Sequence, residues 1–367
     1  MPSPLEDARD VRDQLKAWLL RDAYPLWAEV GCDLAGGFFE KIDQAGAPVQ
    51  APRRVRVAAR HIYAYSVAGK LGWTGDWRAV VEHGLAALER YRRPDGLYGV
   101  LMSPDGALLD DTPHPYEQAF AMLALASAQM ALGRHLEPEA VGVREALREQ
   151  LGRADGGFHE PGADEPLGAN PHMHLFEAAQ TWAAVGADSG WTTMSKAIAA
   201  LALTRMIDGP TGALCELFDA DWNPLAEADV EPGHQFEWGW LLLQFGARDE
   251  ALRLIDLAEK RGVDQKRGVA FNSLGADLQR RDLTARLWPQ TERLKAGVAA
   301  ALVTREERYW MLAANAGRGL QKYLVTDTPG LWLDRMSADG SLVDEAAPAS
   351  SFYHIVGAVL DLDRALG

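Results

Sequence analysis

Six stretches of this chain are variations on one short phrase, and their spacing constrains the fold more than any other feature. They are GGFFEKIDQAGAPV (from Gly36), DGLYGVLMSPDGALL (from Asp95), DGGFHEPGADEPLG (from Asp155), TGALCELFDADWNPL (from Thr211), RGVAFNSLGADLQ (from Arg267) and PGLWLDRMSADGSLV (from Pro329). Each opens on glycine and an apolar or aromatic residue, runs through a polar turn, and often ends in a second short apolar stretch. That is the signature of a small β-hairpin. Taking Gly37, Gly96, Gly157, Gly212, Gly268 and Gly330 as anchors, the steps are 59, 61, 55, 56 and 62 residues by subtraction.

Between the hairpins the periodicity is helical. AFAMLALASAQMALG, HLFEAAQTWAAVG, FEWGWLLLQFGA, ERLKAGVAAALVTR and FYHIVGAVLDLDRAL carry apolar residues at three-four spacing, with small residues between them that suit close helix packing. Each step holds one hairpin and roughly two helices, so six units make about twelve helices. A regular helix-pair period implies an open solenoid or a closed toroid. No terminal capping repeat is evident and the unit count is six. The expectation is therefore an all-α (α/α)6 barrel with short β-hairpins at one end, and an open solenoid is the alternative. No linker or low-complexity segment divides the chain, so residues 1–367 are read as a single domain.

Composition narrows the partners. A formal charge of −15 argues against a nucleic-acid surface. Cys32 and Cys215 lie far apart and outside any CxxC pattern, which fits a reducing compartment. MPSPLEDARD has no apolar signal core and no apolar run reaches membrane-spanning length, so the expected location is cytoplasmic, without a membrane partner. Self-association is left open.

The residues suited to chemistry lie just past each hairpin. As a helix begins, 15 to 25 residues after the anchor glycine, an ionisable or aromatic residue recurs: Arg60 in AARHIYAYS, Tyr116 and Glu117 in PHPYEQAF, His172, His174 and Glu177 in NPHMHLFEA. The series continues with His234 and Glu237 in GHQFEW, Trp288 and Glu292 in LWPQTE, and His354 in SFYHIV. Any one of these histidines could be a packing residue, and a glutamate near a helix start is favoured by the helix dipole alone. Their common phase in six units is harder to explain that way, since a toroid would bring them to one end of its axis. His234, Glu237 and Trp240 share a helix face, so that face would line a pocket. His61, His83, His114, His135 and His159 lack the phase and are read as structural.

His172 and His174 are two apart and point different ways on a helix, so HMH is not a metal pair. No HExxH, cysteine cluster, phosphate loop or GxSxG is present, and no metal or cofactor is expected. Histidines, carboxylates, an arginine and tryptophans around one cavity suit a small-molecule sugar. Two opposed carboxylates would imply glycoside hydrolysis. Two histidines with an arginine would imply proton transfer beside a carbonyl. A sugar-binding protein without turnover is a third reading.

RHIYAYS, NPHMHLFEA, EPGHQFEWGWLL and RLWPQTERLKA, in this order, resemble the N-acylglucosamine 2-epimerase superfamily, which includes cellobiose 2-epimerases and mannose and sulfoquinovose isomerases. The similarity spans about residues 15 to 360, and it implies an (α/α)6 barrel. Carried over by motif, it implies that Arg60 binds near the sugar O1 and O2, and that Tyr116, Asn170 and His174 contact the sugar. His234 and His354 become the proton-exchanging pair, with Glu237 supporting His234; Trp288 and Glu292 form a wall. Glu177 and Trp240 complete the expected sugar contacts. The implied mechanism opens the hemiacetal, removes the C2 proton and passes through a cis-enediolate, with His354 as base and His234 as ring-opening acid. Leu287 stands before Trp288 where the epimerases typically carry a second tryptophan, which points to the mannose isomerase branch. The expected reaction is D-mannose to D-fructose, with 2-epimerisation as the nearest alternative.

Overall fold

The computed structural model describes residues 3–33, 35–162 and 165–367. The helices are given in chain order. An outer helix α1 (Pro4–Trp18) runs through a π-turn into the short α2 (Tyr24–Glu29). Inner α3 (Val55–Ser66) is prolonged by α4 (Ala68–Leu71) and succeeded by outer α5 (Trp77–Glu89). Then come inner α6 (Pro115–Leu132) with outer α7 (Glu137–Leu151), and inner α8 (Ala169–Val185) with outer α9 (Gly190–Leu201). Inner α10 (Pro232–Phe245) pairs with α11 (Arg248–Gly262), inner α12 (Trp288–Thr304) with α13 (Glu307–Gln321), and α14 (Ser350–Leu366) is the sixth inner helix.

Local sequence explains these elements. Ser3 and Glu6 form a reciprocal capping box at the start of α1. Proline sits in the first turn of α6, α10 and α12, where its missing N–H costs nothing. Four inner helices, α6, α8, α10 and α12, show little one-sidedness and most residues of α6 and α12 are buried, whereas α5, α11 and α13 are one-faced. Small residues set the distance between layers. A Cβ on Gly297 of α12 would lie 2.9 Å from the Ala313 nitrogen of α13.

The ring closes. Each inner helix packs on the next (α3–α6–α8–α10–α12–α14), α14 packs back on α3, and α1 covers α13 and α14. The strands repeat the same circuit. Arg53–Arg54, leading into α3, pairs with Leu101–Met102 of the second unit, and Leu167–Gly168 pairs with Leu217–Phe218. Val230 pairs with Leu274, and Ala285–Arg286 with Arg335–Met336. The last, Ala347–Pro348, pairs with Lys41–Ile42 of the first unit, which a solenoid could not do. The (α/α)6 barrel expected from the six-fold phrase is therefore the fold, and the open solenoid is excluded. Part of the third hairpin stretch, at residues 163–164, lies outside the described residues.

A side-chain ladder ties the hairpins to the inner helices. Gln118, Gln235 and Gln290 each accept from one backbone N–H and donate to the C=O of the same residue, Tyr98, Leu214 and Ala270 respectively, at 2.7–2.8 Å. In the third unit His172 takes this place: its Nε2 accepts from Phe158 N at 2.9 Å while Nδ1 donates to Gly168 O. His172 is a strut, and its neighbour two residues on is free to face the axis. No helix is long and apolar enough to cross a membrane among the described residues.

Candidate active site

At the hairpin end of the barrel axis lies a cavity of about 230 Å³. The first turns of the inner helices supply most of its lining: Arg60, Tyr116, Asn170, His174, His234, Glu237, Trp288 and His354, all expected there. Three expected sugar contacts stand behind the wall instead. Glu177 is fully engaged below His174, accepting the Tyr353 hydroxyl at 2.5 Å and lying 3.3 Å from His174 Nδ1. Glu292 is completely buried beneath His354. Trp240 belongs to a separate cavity at the opposite end, where its Nε1 donates to Asp361 at 2.7 Å. The reason is depth. Trp240 sits six residues past His234, about 9 Å further along the axis at helical rise and roughly 120° around the helix at 3.6 residues per turn.

The two histidines are built alike and charged differently. His234 Nδ1 lies 2.8 Å from Glu216 Oε2, with Glu231 at 4.0 Å. Burial works against its charge, but Glu216 and then Glu231 prevail and lift its pKa to about 9. His354 Nδ1 lies 2.8 Å from Glu292 Oε1. Here burial wins, with Arg60 and Lys295 opposing protonation as well, and the pKa falls to about 4 despite the carboxylate. Near neutral pH one imidazole is a cation and the other a neutral base. In both, Nδ1 is occupied by a carboxylate, which leaves Nε2 for the cavity. Both rings pack on Trp288, with centroids 5.0 Å and 5.6 Å away. The indole can approach because residue 233 is glycine: a Cβ there would sit 2.4 Å from the Trp288 ring.

The expected support of His234 by Glu237 is corrected by this geometry. Glu216, from the fourth hairpin, holds His234, because its Nδ1 turns outward to the hairpin rather than down the helix. Glu237 lies one turn deeper, 4.0 Å from His174 Nδ1, with neither carboxyl oxygen hydrogen-bonded. Burial and the nearby Glu292 push its pKa well above the usual carboxylate range. Arg60 is held by aromatic faces, 4.3 Å from the Phe120 centroid and 5.4 Å from Tyr353. It donates to Tyr116 Oη at 2.8 Å and to Ser350 O at 3.0 Å.

Two trios could offer a metal ion one nitrogen and two carboxylates: His174–Glu177–Glu237 and Glu237–Glu292–His354. Their donors are turned toward each other, and Lys295 already places an ammonium 2.7 Å from Glu292. A cation entering the second trio would meet that charge, so that trio fits an ion poorly.

Glu216, Glu231, Arg286, Asp334, Ser350 and Ser351 complete the site and were not anticipated. Glu231, Arg286, Asp334, Ser350 and Ser351 line the cavity, and Ser351 donates to Asp334 at 2.5 Å. Glu216 and Asp334 lie within the fourth and sixth hairpin stretches, Glu231 and Arg286 open the motifs EPGHQFEWGWLL and RLWPQTERLKA, and Ser350 and Ser351 begin α14.

A family model described as N-acylglucosamine 2-epimerase matches residues 37–358. The chain belongs to the N-acylglucosamine 2-epimerase family. Within the family it is 44% identical over 375 residues to a protein of Rhizobium meliloti named mannose-6-phosphate isomerase, covering 96% of this chain and 97% of that one. It is 23% identical over 365 residues to a D-mannose isomerase of Marinomonas mediterranea, covering 91% and 92%. A solved structure titled D-mannose isomerase superposes with a TM-score of 0.88 at 21% identity, covering 98% of each chain. This member of the N-acylglucosamine 2-epimerase family is a carbohydrate isomerase or epimerase.

Proposed function

We propose that the protein is a cofactor-independent aldose–ketose isomerase of a free hexose, interconverting D-mannose and D-fructose. The observation that carries this reading is the pair of carboxylate-backed imidazoles with opposite charge states facing one small cavity. Groups whose environments push their proton affinities apart are suited to separate acid and base roles. His234, as imidazolium, delivers a proton to the ring oxygen as the hemiacetal opens. His354, neutral, takes the C2 proton through Nε2. Charge then builds on O1 and O2 of the cis-enediolate, where Arg60, already oriented by Tyr116 and Ser350, meets it. Return of the proton to C1 gives the ketose; return to the opposite face of C2 gives the epimer, the nearest alternative outcome.

Glycoside hydrolysis fits less well. It needs two carboxyl groups flanking the bond, and Glu292 is spent on His354 and Lys295 behind the wall.

A second reading, D-mannose 6-phosphate as substrate, is favoured by the name of the 44% identical relative. Against it, the cavity-lining Arg286 is held by Glu231 at 2.8 Å, and Glu231 and Asp334 share the lining. A phosphate dianion would meet carboxylates there, which favours the unphosphorylated sugar.

The test is incubation in deuterated water with D-mannose, D-mannose 6-phosphate, N-acetylmannosamine and cellobiose, read by NMR. Ketose formation and deuterium exchange at C2 are expected with mannose. His234→Ala or His354→Ala should each lower turnover by about 10²–10⁴-fold. Absence of exchange with every sugar would overturn the reading, and faster turnover of the phosphate ester would replace mannose with it.

A further inference from the structure

Beneath the cavity floor lies a cluster of buried ionisable groups centred on Lys295 and Glu292, neither of which lines the cavity. Glu292 and Lys295 are three apart on one face of α12. Lys295 Nζ lies 2.7 Å from Glu292 Oε2 and 3.6 Å from the centroid of Trp240. The other groups facing it are Glu177 of α8, Glu237 of α10 and Asp361 of α14. Beyond these stand His174 and Arg60, paired with or facing His354 and Glu177, and Tyr353, which donates to Glu177. Four carboxyl groups therefore share one ammonium, whose side chain is only 3% exposed. An ammonium buried to that degree is costly unless its neighbours use the charge.

We infer that Lys295 is a positioning residue that keeps Glu292 ionised and so holds His354 in the tautomer whose Nε2 can accept a proton. The inference rests on the proposed role of His354 as base. The two oxygens of Glu292 are divided: Oε1 meets His354 Nδ1 at 2.8 Å and Oε2 meets Lys295. An ammonium has donors only, so Oε2 must stay an acceptor. A proton on Glu292 could sit only on Oε1. It would then be donated to Nδ1, hydrogen would reside on Nε2, and the base would face the sugar with no lone pair. Burial alone would make Glu292 easier to protonate, yet Lys295, and after it the bond from His354, bring it down to about 2.

The test tracks the ring nitrogens of His354 by ¹⁵N NMR, assigned against His354→Asn, in the wild type, Lys295→Met and Lys295→Arg. The wild-type ring should stay neutral with hydrogen on Nδ1 from about pH 5 to 8, unlike an ordinary histidine titrating near 6.5. Lys295→Met should raise the proton affinity of the His354–Glu292 pair at least about tenfold, one pH unit. In mannose turnover it should lower kcat with little change in KM, the loss should recover as pH is raised, and Lys295→Arg should restore activity. A merely structural role would give a loss that pH does not reverse. A folded Lys295→Met chain with unchanged His354 titration would overturn the inference. So would a wild-type ring titrating at its ordinary value, a measurement that stands even if Lys295→Met does not fold. The ring readout needs no sugar, so failure of the mannose reading would show separately, as absent turnover in a wild type with the expected tautomer.

Discussion

At the scale of single residues, the contrast between His234 and His354 shows how the same hydrogen bond produces different chemistry. Each imidazole faces a glutamate at 2.8 Å. The second carboxylate near His234, Glu231, reinforces its charge, while Lys295 and Arg60 oppose charge on His354. These opposite charge states set the sign of the pH dependence. In the proposed reaction His354 acts as the neutral base, so kcat/KM is expected to rise as pH climbs through about 4. In the same proposal His234 acts as the protonated acid, so kcat/KM is expected to fall as pH climbs through about 9. Glu216→Gln removes the leading attraction and should move the alkaline limb to lower pH while leaving the acid limb in place. A pH–rate profile of both proteins checks this, and an unmoved alkaline limb would remove His234 from the acid role. Most of the site was legible at this scale, because a recurring phase on a helix fixes direction. Depth is not written in phase, which is why Glu292 shares the direction of the pocket residue Trp288 and still misses the cavity. Partners held across a hairpin are not written there either: Glu216 reaches His234 from 18 residues away.

At the scale of elements, the glutamine ladder does for the hairpins what a cap does for a helix. Each amide satisfies one N–H and one C=O of a tight turn that would otherwise be buried unpaired. Gln235→Leu keeps the bulk and removes both bonds at Leu214. It should cost about 2–4 kcal/mol, since each orphaned buried group carries about 1–3. Urea denaturation measures the loss, and a change below about 0.5 kcal/mol, ordinary for surface positions, would deny the ladder its role. The hairpins and helices themselves were readable from glycine-aromatic openings and three-four spacing. The ladder was not, because a buried glutamine in QFEWGWLL looks like any polar residue near a helix start until its turn is in view.

At the scale of the molecule, the first elements lock the last. Trp27 of α2 donates from Nε1 to Gly330 O at 3.1 Å and stacks on Trp332 at 4.7 Å and Phe352 at 5.9 Å. Phe352 precedes His354 by two residues, so an N-terminal side chain packs beside the helix turn that carries the base. Trp27→Ala should cost about 3–5 kcal/mol, the range for truncating a buried aromatic residue. A closed ring should still unfold in one transition, whereas an open array can lose its last unit first. Chemical denaturation monitored by fluorescence and circular dichroism distinguishes these, and two separated transitions would contradict closure as the source of cooperativity. Six repeats and no visible end caps sufficed to read the ring from sequence; the pairing of Lys41–Ile42 with Ala347–Pro348 is what seals it.

Because His234 and His354 both lean on the one indole of Trp288, they cannot drift apart independently. In the proposed reaction, a tilt of that ring would carry both imidazoles together past a bound sugar. The carbon that receives the returning hydrogen would then depend on where the shared support sits, and the balance between ketose and epimer on a side chain that never handles a proton.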